Sequence, residues 1–90
     1  MPVTIHIPTP MRQHADGQAS VQVAATNVQT ALAALGDKYP ALTQRLFENG
    51  QVRRFVNIYL NNEDIRYLDS LTTSVKDGDE LAIIPAVAGG

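Results

Sequence analysis

The ninety-residue sequence contains no cysteine and no tryptophan. Without a thiol the chain has no cysteine nucleophile, no disulfide framework and no thiolate metal site, and any sulfur chemistry it takes part in must use borrowed sulfur. No stretch approaches the ~20 apolar residues of a membrane span, and residues 1–6 lack the charged segment followed by an apolar run of a secretory leader. A soluble, cytoplasmic protein that avoids membranes is therefore expected. Positive charge is also scarce. Seven basic residues against nine acidic give a net charge of −2, and the only basic doublet is Arg53-Arg54. That balance argues against a nucleic-acid partner. The two histidines, His6 and His14, stand eight apart with no cysteine to join them, so no metal site is expected. There is no phosphate-binding glycine loop and no serine in a nucleophile motif, so the chain does not read as an enzyme or as the holder of a bound cofactor. Asp77-Gly78-Asp79 lacks the ligand spacing of a calcium loop and reads as a turn.

What is present fits one small domain, since a chain of 9.7 kDa that is 44% hydrophobic can bury a modest core unaided. Val3, Ile5 and Ile7 alternate with Thr4 and His6, the period of a half-buried strand over 3–7, and Pro8-Thr9-Pro10 stops it. Residues 11–18 read as a polar turn before a second strand over 20–23. Thr26 with Gln29 matches a capping box for a helix starting near 27. Val28, Ala31, Leu32 and Leu35 share one helical face, with Gly36 as the stop. Residues 41–47, with Leu42 and Leu46 four apart, suggest a short second helix or turn ended by Asn49-Gly50. The surest strand is 55–60, with Val56, Ile58 and Leu60 facing the core and Phe55, Asn57 and Tyr59 opposite. Ile65-Arg66-Tyr67 reads as a short edge strand, and 68–75 as a loop with Leu71 and Val75 buried. The Asp77-Gly78-Asp79 turn launches a last strand over 80–84, with Leu81 and Ile83 inward and Pro85 ending it. Burying these faces calls for an α+β, β-grasp-like fold, a mixed four- to five-stranded sheet packed on one main helix, whose first and last strands pair after a helical crossover. The expected division is a domain over 1–85 and a flexible tail over 86–90.

The tail holds the unusual chemistry. Gly89 and Gly90 lack a Cβ and can thread a cleft too narrow for side chains. Five extended residues beyond Pro85 would carry the carboxylate of Gly90 about 17 Å from the body, far enough to enter another protein's active site. A second site follows from strand alternation: Phe55, Tyr59 and Ile84 lie opposite the core positions of neighbouring strands. They form a candidate apolar partner surface beside the tail, rimmed by Arg53, Arg54 and late acids such as Asp79 and Glu80.

The phrase Phe55-Val56-Asn57-Ile58-Tyr59-Leu60-Asn61, the turn Asp77-Gly78-Asp79-Glu80-Leu81 and the ending Pro85-Ala86-Val87-Ala88-Gly89-Gly90 resemble the ubiquitin-like sulfur carriers of the ThiS/MoaD family. The resemblance spans essentially the whole chain, and Arg54-Phe55-Val56-Asn57-Ile58-Tyr59 is most similar to the cysteine-biosynthesis branch. It implies that Gly90 is the thiocarboxylate site, reached through Val87, Ala88 and Gly89. An E1-like adenylyltransferase/sulfurtransferase would activate its carboxylate with ATP. A cysteine synthase-like enzyme would accept the sulfur, and a C-terminal-processing metalloprotease would be a further partner. The alternatives left open are a small subunit of molybdopterin synthase, a ubiquitin-like modifier conjugated through Gly90, and a plain binding domain.

Overall fold

The computed structural model describes residues 2–85. Strand β1, Val3–His6, pairs antiparallel with β2, Ser20–Val23, with Val3 opposite Val23 and Ile5 opposite Val21. These four side chains are buried, as alternation requires. The connection is not the polar turn expected over 11–18. A 3-10 helix runs Thr9–His14, closed by the Met11 N–H donating to the Pro8 carbonyl at 2.9 Å. Prolines at 8 and 10 fix φ near the value such a turn needs. The result is that Met11 and Ala15 enter the core, where composition alone suggested a solvated loop.

Helix α1, Val28–Lys38, starts one residue later than its expected cap. Asn27, not Thr26, is the cap: its side-chain oxygen accepts from the Thr30 N–H at 2.8 Å, and the Thr30 hydroxyl accepts from the Asn27 N–H at 3.1 Å. The reciprocal box is the same device, built by threonine where Gln29 had been expected. Nor does Gly36 stop the helix, which continues to Lys38. Gly36 is buried against α2, Pro40–Leu46, and a Cβ there would overlap Thr43 Oγ1. Its role is close approach of two helices. The short second helix is present as expected, with Pro40 in its first turn and Leu42 and Leu46 buried.

Asn49-Gly50 does not end α2, which stops at Leu46 with Phe47 already extended. With φ of 56° and 78°, Asn49 and Gly50 adopt the left-handed pair that closes a tight hairpin between β3, Phe47–Glu48, and β4, Gln51–Val52. Strand β5 runs Val56–Leu60, leaving Phe55 in the preceding turn. The left-handed Asn61 and Asn62, at φ 48° and 73°, turn it into β6, Glu63–Asp64. This is the edge strand; Ile65–Tyr67 is a 3-10 helix and not the expected strand. Asp64 caps that helix by accepting the Arg66 N–H at 2.9 Å, so the chain leaves the sheet and buries Ile65. Over 68–75, Val75 is buried and Leu71 half-buried. Strand β7, Glu80–Pro85, then enters the sheet centre.

The main sheet has order β2-β1-β7-β5-β6, with β1 and β7 parallel and the other pairs antiparallel. A parallel central pair needs a crossover, and α1 supplies it. Its Val28, Leu32 and Leu35 share one core with Ile5, Ile58 and Leu81 of the central strands, each at most 2% exposed. This is the expected α+β, β-grasp architecture, with a five-stranded mixed sheet.

Candidate functional site

The sheet face turned away from α1 is set by alternation along β5 and β7. With Ile58, Leu81 and Ile83 buried, the outward residues are Asn57 and Tyr59 on β5, and Glu80, Ala82 and Ile84 on β7. Antiparallel register places Ile84 opposite Asn57 and Ala82 opposite Tyr59. Tyr59 lies two residues from Asn57 along β5 and is a diagonal neighbour of Ile84, about 7–8 Å away by strand geometry and within reach of an aromatic side chain, while Phe55 stands in the turn just before β5, next to Val56, the partner of Pro85. Of the sequence-derived trio, Tyr59 and Ile84 share this outer face, and Phe55 stands in the turn at its edge. Phe55 is 51% and Ile84 42% exposed, while Tyr59 is half-buried. The Arg54 guanidinium sits 5.5 Å from the Phe55 ring centroid, and the ring's negative face attracts that cation. Arg53 turns elsewhere, donating to the Gln44 carbonyl at 2.9 Å and to Glu48 at 3.3 Å.

The patch lies at the root of the tail. Pro85, the last described residue, pairs with Val56, next to Phe55 in sequence. Val87, Ala88, Gly89 and Gly90 lie outside the described residues.

Two features escaped the sequence reading. His6, on the outer face of β1, is in register with Ala82, and its Nε2 lies 2.6 Å from Glu80 Oε1. The signal needed was the parallel pairing of β1 with β7, which joins residues 74 positions apart. Both side chains are about half exposed or more, so solvent screens the pair and its stabilisation is small. The second feature is Tyr67, which is 82% exposed because the chain turns into a 3-10 helix where a strand had been expected.

The start of β7 is fixed by a buried carboxylate. Asp79 accepts from the Lys76 N–H at 2.9 Å and from the Asn61 amide at 3.1 Å, while the Glu80 N–H donates to Asn61 at 3.0 Å. The Lys76 N–H first, and Asn61 next, hold the Asp79 carboxyl below the usual aspartate value against the opposing effect of burial. Asp64 is likewise held low, chiefly by the Arg66 guanidinium, whose Nη2 lies 2.8 Å from Oδ2. Among the described residues no three histidine, aspartate or glutamate side chains cluster to hold a metal ion, and no helix is long and apolar enough to cross a membrane.

The chain matches the ThiS family over residues 5–90. It is 42% identical over 93 residues to the sulfur carrier protein CysO of Mycobacterium tuberculosis, spanning 100% of both chains. It is 38% identical over 63 residues to small archaeal modifier protein 3 of Haloferax volcanii, covering 70% of this chain and 68% of that one. A chain in the crystal structure of the Amycolatopsis orientalis BexX/CysO complex superposes with a TM-score of 0.92 at 40% identity, covering 98% of this chain and 99% of that one. A β-grasp body and a matched region that runs through the di-glycine place this chain in the ThiS family of ubiquitin-like sulfur carriers.

Proposed function

We propose that the carboxylate of Gly90 is the sulfur-carrying group. Its oxygen attacks the α-phosphorus of ATP on an E1-like partner, expelling pyrophosphate. Hydrosulfide then adds to the acyl carbon and AMP leaves, which converts carboxylate to thiocarboxylate without net oxidation. A cysteine synthase-like acceptor takes the sulfur. The carrier supplies no general base. Its part is to hold an extended acyl group at a fixed distance from a docking surface, so that the partner's reaction at the tail becomes effectively intramolecular. Phe55, Tyr59 and Ile84 are that docking surface, with Val87, Ala88 and Gly89 as the thread. The observation that carries this reading is the full-length likeness to a sulfur carrier, and the apolar patch beside the end of β7 supports it.

The test is intact-mass spectrometry after co-expression with a candidate activating enzyme and a sulfur source. Exchange of one terminal oxygen for sulfur, about 16 Da heavier, is expected on the fragment ending Gly89-Gly90. Deleting Gly90 should abolish the shift, and Ile84→Asp should slow it while leaving the circular dichroism spectrum unchanged. A Gly90-deleted protein that still accepted sulfur would sink the proposal. The likeness to an archaeal modifier protein favours a second reading, conjugation to lysines through Gly90. It predicts slower-migrating covalent adducts on immunoblots of cell lysate.

A further inference from the structure

A groove of about 430 Å³ runs along the side of β5 that faces away from β7. Its lining combines two properties seldom found together on this acidic protein. Arg53, Arg54 and Arg66, three of the seven basic residues in the chain, line it against a single acid, Asp64. Asp64 is already neutralised by Arg66 at 2.8 Å, and Arg53 is shared with Glu48 at 3.3 Å. Arg54 rests on the Phe55 ring with no carboxylate partner among the described residues. The groove is thus a local positive field on a chain whose net charge is −2. Between the arginines its lining is apolar, with Val56, Ile58, Ile65 and Leu71.

The sheet is also incomplete here. β7 pairs with β5 along its whole length, Val56 to Leu60, but β6 pairs only with Tyr59 and Leu60 before the chain departs at Asp64. Val56–Ile58 therefore has a strand on one side only, and with the Val56 N–H closed back onto the Arg53 carbonyl at 2.9 Å the open backbone groups centre on Ile58. An open strand edge beside apolar hollows is the geometry into which an extended peptide adds as a further strand. Main-chain hydrogen bonds give such a complex affinity, and alternate side chains give it specificity.

We propose that this groove binds an extended acidic segment of a partner protein by strand addition to Val56–Ile58. The segment's apolar side chains enter beside Leu71, and a carboxylate meets Arg54. Charge complementarity selects this occupant. A basic segment would meet the Arg54 guanidinium, which has no carboxylate partner among the described residues, and a purely apolar one would leave it unpaired. A nucleic-acid strand would have to approach a molecule of net negative charge to reach a groove narrowed by apolar side chains. The site is distinct from the Phe55, Tyr59 and Ile84 patch, which lies on the sheet face, and it stands whether or not Gly90 carries sulfur.

The experiment is an amide NMR titration of the intact, isotope-labelled protein with the capped pentapeptide acetyl-Glu-Val-Glu-Val-Glu-amide. The controls are the matched Lys-Val-Lys-Val-Lys peptide and a short single-stranded oligonucleotide. The acidic peptide should shift amides within 51–58 and 64–71 saturably. Raising salt from 50 to 300 mM should weaken it several-fold, since exposed charge pairs are screened. Arg54→Gln removes the unpaired cation without touching the core and should weaken binding several-fold with an otherwise unchanged spectrum. Arg54→Lys should restore part of it. The proposal is overturned by equal shifts with the lysine peptide, by preferential binding of the oligonucleotide, by shifts confined to other surfaces, or by no saturable shift at millimolar peptide.

Discussion

Replacing Gly36 by alanine should change sign in its effect on stability according to what stands at position 43. In an ordinary helix interior alanine is favoured over glycine by roughly 1 kcal/mol. At Gly36 of α1 the added Cβ would overlap Thr43 Oγ1, while Thr43 Cβ stays at an ordinary 3.5 Å. Overpacking of this kind typically costs about 1–3 kcal/mol. Thr43 is exposed and relieves part of the strain by turning about χ1, but its branched Cβ then swings the methyl group toward the same space. The net effect of Gly36→Ala alone is a destabilisation of roughly 0–2 kcal/mol. With Thr43→Ala in the background the clashing atom is gone, and the same substitution should stabilise by about 0.5–1 kcal/mol. The assay is a double-mutant cycle by thermal and urea unfolding of the four proteins, in which each kcal/mol moves Tm by roughly 4–8 °C for a domain this small. A coupling of about 1–2 kcal/mol is expected. If alanine at 36 stabilises equally in both backgrounds, the helices are not held at contact by the glycine and the reasoning fails.

The cap of α1 gives a second check: Asn27→Ala should cost about 0.5–2 kcal/mol, whereas Gln29→Ala, on the exposed face, should stay within about 0.5 kcal/mol by chemical denaturation. Acid should find the Asp79 network. A carboxyl whose folded-state pKa lies below its ordinary 3.8 adds stability that is present above the unfolded value and is lost as pH falls through the folded one. Urea midpoints should therefore be flat above about pH 5 and fall below about pH 4. Asp79→Asn should be less stable than the parent at pH 7, with the gap closing below pH 4; a gap independent of pH would refute the assignment.

Much of this architecture is legible in one sequence because it rests on local rules. Alternation of Val3, Ile5 and Val21, Val23 marked two strands. The spacing of Val28, Leu32 and Leu35 marked the helix, and the 55–60 run marked the strand at the sheet's heart. The errors fall where two local signals competed and packing chose between them. Thr26 and Asn27 are both competent caps, each with a partner three residues on, and in the folded chain the reciprocal bonds form between Asn27 and Thr30. Gly36 is a stop by its lack of a Cβ and a contact point for the same reason, and the proximity of α2 decided for contact. Ile65-Arg66-Tyr67 has strand composition, yet Asp64 captures the Arg66 N–H and turns the chain out of the sheet. The patch was foreseen as three residues. Its centre on Ile84 and Asn57 was not, because register between strands distant in sequence is a property of the sheet.

The sequence by itself determined the four long strands and the main helix, the inward and outward faces of those strands, the family to which the chain belongs and the di-glycine on which the proposed chemistry rests. These follow from periodicity, turn residues and motif, all of which act over a few positions. Only the tertiary structure decided that β7 lies between β1 and β5, so that His6 meets Glu80 and Asn57 lies opposite Ile84. It alone decided that β6 stops short and leaves Val56–Ile58 with an open edge among three arginines. Those outcomes depend on which buried faces fit together, a choice settled by packing across the whole molecule, which no local window of sequence contains.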